Sequence, residues 1–234
     1  IDFMALILSL ETATKVCSVA LSLSGDIIKT LSVRSEKYSH AEKLNGLILS
    51  LFEDTSHTLK DLDAIAVSEG PGSYTGLRIG TSTAKGRCYA QEIPLIAVNS
   101  LKALAALKKN SGMLICPMFD ARRMEVYSAV YDENLNELEP TQAVVVDGAS
   151  YQHFLAENKV CFLGPGAEKC QDEIKNENAI FDLETAVSAE GMSSMAYEKY
   201  RVNDFVDLAY FEPFYLKDFI AGTPKKIFKD LNPK

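Results

Sequence analysis

Apolar positions along this chain of 234 residues change period several times, and each change marks an element. Residues 5–10 form a continuous apolar run, Glu11-Thr12-Ala13-Thr14-Lys15 turns the chain, residues 16–21 return, Ser24-Gly25-Asp26 turns it again, and residues 27–33 give a third run. The pattern predicts three consecutive antiparallel strands. Helical spacing begins behind Ser39-His40-Ala41-Glu42, which reads as a capping box. There Ala41, Leu44, Leu47, Ile48, Leu51 and Phe52 fall on one arc about 140° wide at 100° per residue, with Leu49 outside it, so a helix is predicted over 39–54.

The middle of the chain reads as strand 64–68, turn Gly70-Pro71-Gly72-Ser73, helix 75–89 and strand 95–98. In that helix Gly76 and Gly80 share a stripe with Ile79 and Thr83, which implies that another backbone passes close, since glycine costs roughly 0.5–1 kcal/mol in a helix relative to alanine. The loop is not a phosphate loop of known pattern. Thr75-Gly76-Leu77 stands where Walker's Gly-Lys-Ser/Thr is required, and the Rossmann spacing needs its third glycine one residue before Gly76. A structural turn that seats a closely packed helix is the better reading.

Ser100 is expected to cap a helix to about 108, followed by strands over 113–119 and 124–131 joined by Asp120-Ala121-Arg122-Arg123. Further on come strand 143–146, helix 151–157, strand 160–163, a second turn Gly164-Pro165-Gly166, helix 167–175 and helix 189–200. The repeated Gly-Pro-Gly turn between a strand and an expected helix suggests two related halves. Strands alternating with helices make this an α/β chain.

Composition narrows the function classes. The net charge of −8 argues against a chain that grips nucleic acid unaided. The five cysteines show no CxxC pair and the three histidines stand far apart, which argues against disulfides and against a helix-borne metal site. No apolar run reaches the ~18 residues of a membrane span and no leader pattern is visible, so a cytoplasmic protein is expected, with Met4 as its natural start. Glu11 closes the first strand, where a carboxylate either meets a metal or phosphate-bound magnesium or is simply solvated in a turn.

Taken together, Ile7-Leu8-Ser9-Leu10-Glu11-Thr12-Ala13-Thr14, Gly70-Pro71-Gly72-Ser73-Tyr74-Thr75-Gly76-Leu77-Arg78-Ile79-Gly80, Asp120-Ala121-Arg122-Arg123-Met124-Glu125-Val126-Tyr127 and Pro213-Phe214-Tyr215-Leu216-Lys217 resemble the bacterial TsaB (YeaZ) family over almost the whole chain. The resemblance implies a two-lobed actin-like, Hsp70-like ATPase (ASKHA) fold with mixed sheets flanked by helices. It places the first lobe at 4–99, with about 189–220 packing back on it, the second at 100–188, and a mobile basic tail at 221–234. It implies a non-catalytic scaffold subunit for N6-threonylcarbamoyladenosine synthesis at tRNA position 37, paired with the metal-bearing paralogue TsaD and joined by TsaE. A homodimer is open to the chain when alone, and tRNA is reached only through the complex. No cofactor is expected to be tightly bound, weak ATP or ADP with magnesium at Glu11 and Asp120 being the vestige.

Two departures stand out: Glu11 replaces an aspartate common in the family, and Met124 replaces a glycine, which puts a residue averse to positive φ at a tight turn. The peptidase label attached to some relatives finds no serine, cysteine and histidine arrangement here. The alternative to a scaffold is a stand-alone ATPase or kinase, for which Glu11, Asp120 and the second Gly-Pro-Gly turn are the pieces. Under the scaffold reading the partner interface comprises Leu44, Leu47, Ile48 and Leu51 with Gly76, Ile79, Gly80, Thr83 and Arg87. Half of a four-helix bundle would result, and Gly80→Arg would abolish pairing while leaving the monomer folded.

Overall fold

The computed structural model describes residues 4–34 and 40–217. In it β1 (Leu6–Glu11), β2 (Val16–Leu23), β3 (Asp26–Arg34), β4 (Ala64–Gly70) and β5 (Leu95–Asn99) form one sheet, in the order β3-β2-β1-β4-β5. β1 and β2 lack an alternating pattern because this sheet is covered on both faces, and nearly every residue in them is buried. A second sheet holds β6 (Leu114–Asp120), β7 (Glu125–Tyr131), β8 (Glu137–Val145), β9 (Val160–Leu163) and β10 (Ala179–Asp182), in the order β10-β9-β6-β7-β8. Counted from the first strand of each sheet, both orders are third, second, first, fourth, fifth. The senses repeat as well, antiparallel along the opening meander and parallel from the first strand to the fourth and from the fourth to the fifth.

The repeat puts equivalent residues at equivalent ends. Glu11 ends β1 as Asp120 ends β6, and Gly70-Pro71-Gly72 leaves β4 as Gly164-Pro165-Gly166 leaves β9. Each turn needs its glycine. Gly70 and Gly164 have φ of 117° and 97°, and a Cβ on Gly164 would lie 2.7 Å from the Met118 carbonyl oxygen.

Helices α1 (His40–Phe52) and α2 (Tyr74–Gln91) pack on the first sheet. Ser73 caps α2, its hydroxyl accepting from the Gly76 N–H at 3.2 Å. Ser39 of the expected capping box on α1 lies outside the described residues, as does the basic tail over 221–234. Helix α3 (Ser100–Ala106) lies between the sheets, where Leu101, Leu104 and Ala105 join Ala13, Leu77, Phe119 and Leu163 in one core. Its cap is Asn99, not the expected Ser100; the Asn99 side chain accepts from the N–H groups of Leu101 and Lys102, while buried Ser100 accepts from Gly70 N–H.

The second half departs further from the pattern. The helix expected over 167–175 is one 3-10 turn, Glu168–Cys170, because its continuation carries Ile174 as its lone large apolar residue and cannot hold a helix by packing. No local pattern predicts β10, and β8 is far longer than 143–146. Residues 151–157 supply only α4 (Gln152–Leu155), and 189–200 divides into a 3-10 turn, Ala189–Met192, and α5 (Ser193–Arg201). α5 packs on the first sheet, with Ala196 and Met192 buried against Ala5, Ile7 and Ile96. The chain then runs as a strap: Val206 bridges Leu95, Lys85 donates to the carbonyls of Ala209 and Phe211, and Phe214 N–H donates to Glu69 O at 2.7 Å.

Candidate functional site

A cleft of about 710 Å³ separates the lobes, floored by the β1–β2 turn at Ala13 and Thr14 and walled by Ser73 on one side and Asp120 and Gly164 on the other. The strap closes one side with Tyr215, whose ring centroid is 4.9 Å from that of Tyr74, and with Lys217, which is ion-paired to Glu125 of β7. The Pro213-Phe214-Tyr215-Leu216-Lys217 motif is conspicuous in the sequence, but periodicity assigns it no place. Here it ties the two lobes.

The two acids singled out from the sequence do not converge on this cleft. Glu11 is fully buried beneath the floor and does not line it. Its Oε1 accepts from Ala13 N–H at 2.6 Å, and its Oε2 has no hydrogen-bond partner among the described residues. Burial pushes the carboxyl up to about 7, against the pull of the Ala13 N–H and the Ser68 hydroxyl. Asp120 does line the cleft, but its Oδ1 is taken by the Lys169 ammonium and by Arg122 N–H. Among the described residues no three His, Cys, Asp or Glu side chains come together as metal ligands. Glu11 and Asp120 therefore do not fit a shared magnesium ion. Sequence reasoning missed Lys169, which also donates to the carbonyls of Arg123 and Glu125 and holds the β6–β7 turn. No local pattern marks it, since its partners lie more than forty residues away.

In that turn the positive-φ residues are Arg122 (71°) and Arg123 (51°), not Met124. The strain expected at Met124 from losing the glycine is therefore not found there. The histidines and cysteines do not form a reactive cluster: His40 is buried with Nε2 2.7 Å from Thr14 O, and all five cysteines are buried and free.

The expected interface needs a larger correction. Leu44, Ile48 and Leu51 have no exposed surface and belong to the core of the first lobe. Gly76 and Gly80 are buried against the chain's own β1–β2 turn, where a Cβ would lie 2.1 Å from Thr12 O and 2.3 Å from Thr12 Oγ1. The stripe of small residues seats α2 inside its own lobe, so Gly80→Arg would damage the fold itself. Leu47, Ile79, Thr83 and Arg87 are half-buried, and Arg87 bonds Asn45 Oδ1 at 2.9 Å across the helix pair. Outward stand Leu49 (58% exposed), Tyr89 (80% exposed) and two glycines, Gly46 and Gly86, at each of which an added Cβ would meet nothing within 4 Å among the described residues. A shallow groove between α1 and α2, lined by Ala41, Tyr74, Arg78 and Ser82, borders this face.

Two sheets of one repeated topology, facing each other across a cleft crossed by a strap, define a two-lobed protein of the actin-like, Hsp70-like ATPase class. A family model described as TsaD, tRNA N6-adenosine threonylcarbamoyltransferase, matches residues 34–231. The tRNA threonylcarbamoyladenosine biosynthesis protein TsaB of Bacillus subtilis is 36% identical over 163 residues, 68% of this chain and 70% of that one. TsaB of Escherichia coli is 29% identical over 223 residues, 92% of this chain and 96% of that one. The structure of YeaZ from Pseudomonas aeruginosa superposes with a TM-score of 0.73 at 26% identity, covering 91% of this chain and all of that one. The chain belongs to the TsaB (YeaZ) family of tRNA threonylcarbamoyladenosine biosynthesis proteins. No helix among the described residues is long and apolar enough to cross a membrane.

Proposed function

We propose that the chain is a non-catalytic subunit in the synthesis of threonylcarbamoyladenosine on tRNA. It pairs with TsaD through the outward faces of α1 and α2, and TsaE joins that pair. The observation that carries this reading is the fate of the two strand-end acids. Glu11 is sealed below the cleft, and Asp120, which lines it, is paired to Lys169, so the two acids do not face a metal-bound phosphate together. The cleft then holds a magnesium nucleotide weakly at most.

The outward face supports the pairing. Two exposed glycines inside helices, each costing up to ~1 kcal/mol relative to alanine and with open space beside them, suit the close approach of a second helix pair. Leu49 and Tyr89 flank them as apolar anchors. Access to tRNA comes through the pair, and the lone chain is cytoplasmic, with a second copy as its alternative partner on the same face.

Reconstitution tests the reading: threonylcarbamoyl transfer to tRNA is measured with the chain alone, with cognate TsaD and TsaE alone, and with all three. The expected result is no transfer by the chain alone and strong stimulation of the others when it is added. Transfer or ATP turnover by the purified chain alone would favour the stand-alone enzyme.

A further inference from the structure

The β6–β7 turn is built against the grain of its sequence. Arg122 and Arg123 both sit in the left-handed region, which Gly and Asn tolerate best and in which other L side chains are strained. The turn is nonetheless firmly held, by Ala121 N–H to Glu125 O at 3.0 Å, by Glu125 N–H to Arg122 O at 3.2 Å and by the three bonds of Lys169. Backbone strain kept in a rigid turn points to a use for the side chains.

Both arginines are exposed, and neither is ion-paired among the described residues. The carboxylates nearest in sequence are already neutralised, Asp120 by Lys169 and Glu125 by Lys217. Two lysines thus occupy the carboxylates nearest in sequence, while Glu168 and Glu184 line the same cleft as Arg122 with no ion pair to either arginine among the described residues. Arginine rather than lysine is the side chain suited to two-point contact with a phosphate. Arg122 lines the cleft and Arg123 does not, so the pair straddles the rim. An anion enclosed in the cleft would meet one of them; an extended polyanion passing over the rim meets both.

We propose that the Arg122–Arg123 turn is a contact for the phosphodiester backbone of RNA, engaged when the chain is assembled with its partner. The inference rests on the function proposed above. With a net charge of −8 the lone chain repels a polyanion, and two arginines add only about two released counterions, so the contact matters only where the partner supplies the rest of the footprint.

The test is tRNA binding by the chain assembled with cognate TsaD, over a range of salt concentrations, for the wild type and for Arg122→Asn/Arg123→Gly. That variant suits the turn better than the native pair, so its melting temperature should equal or exceed that of the wild type. Expected are an affinity loss of about tenfold at physiological salt and a salt dependence shallower by about two released counterions. Sizing of the same samples separates this claim from its parent: wild type that fails to assemble with TsaD contradicts the proposed function. An assembled variant that binds tRNA with wild-type affinity and salt slope overturns the arginine contact. Loss of Mg·ATP binding with tRNA binding unchanged would assign the arginines to a nucleotide in the cleft and would likewise overturn it.

Discussion

Glu11 shows how a single side chain can be misread from its position. At a strand end before a polar turn it has the sequence context of an ion-binding acid, yet the structure folds its longer arm back onto Ala13 N–H and seals it from the cleft. Its folded-state carboxyl titrates at about 7, against 4.5 in the unfolded chain. The unfolded chain therefore releases this proton first as pH rises. The stability associated with the proton is fully present below about pH 4.5 and is lost as pH rises toward 7, to the extent of roughly 3 kcal/mol. Glu11→Gln, which keeps the shape without the titration, should be more stable than wild type at pH 8 by about 1–3 kcal/mol and nearly equal to it at pH 4.5. Denaturant unfolding at the two pH values measures this. Parallel changes in both proteins would remove Glu11 from the account.

At the scale of elements, the first half was legible because its signals are local and mutually consistent. The strands over 5–10, 16–21 and 64–68, the Gly-Pro-Gly-Ser turn and the following helix all appear within a few residues of where periodicity puts them. The second half was less legible where length, not pattern, decides. β10 has four residues flanked by polar chain, and it exists because β9 offers it a parallel edge, a partner no local pattern reveals. The small-residue stripe of α2 is visible in the sequence, but periodicity cannot say which backbone it meets. Thr12 is the neighbour, from the turn after β1. Gly76→Ala should therefore destabilise the protein by about 1–3 kcal/mol despite alanine's better helix propensity, through overlap with a backbone oxygen. Gly86→Ala, in open space on the same helix, should stabilise it by up to about 1 kcal/mol. Thermal and denaturant unfolding of the two variants check the contrast, and equal effects would contradict the packing described for α2.

At the scale of the whole molecule, the repeated topology brings the two strand-end acids to equivalent places, where Glu11 is buried and Asp120 lines the cleft paired to Lys169. The strap from Val206 to Lys217 ties the lobes together, through the Leu95 bridge, the Glu69 carbonyl, Tyr74 and Glu125. The helix pair turns outward exposed glycines and two apolar side chains, Leu49 and Tyr89, the face proposed above to serve a partner. The sequence located the helix pair but pointed mostly to its inward residues, because the apolar arc of an amphipathic helix marks the core before it marks an interface. The most direct measurement is sizing of the chain mixed with cognate TsaD, wild type against Leu49→Glu/Gly86→Arg, with circular dichroism confirming that both chains are folded. A stable pair is expected for the wild type and loss of pairing, with at least about a hundredfold weaker binding, for the folded double variant. A folded double variant that pairs as tightly as the wild type would contradict it.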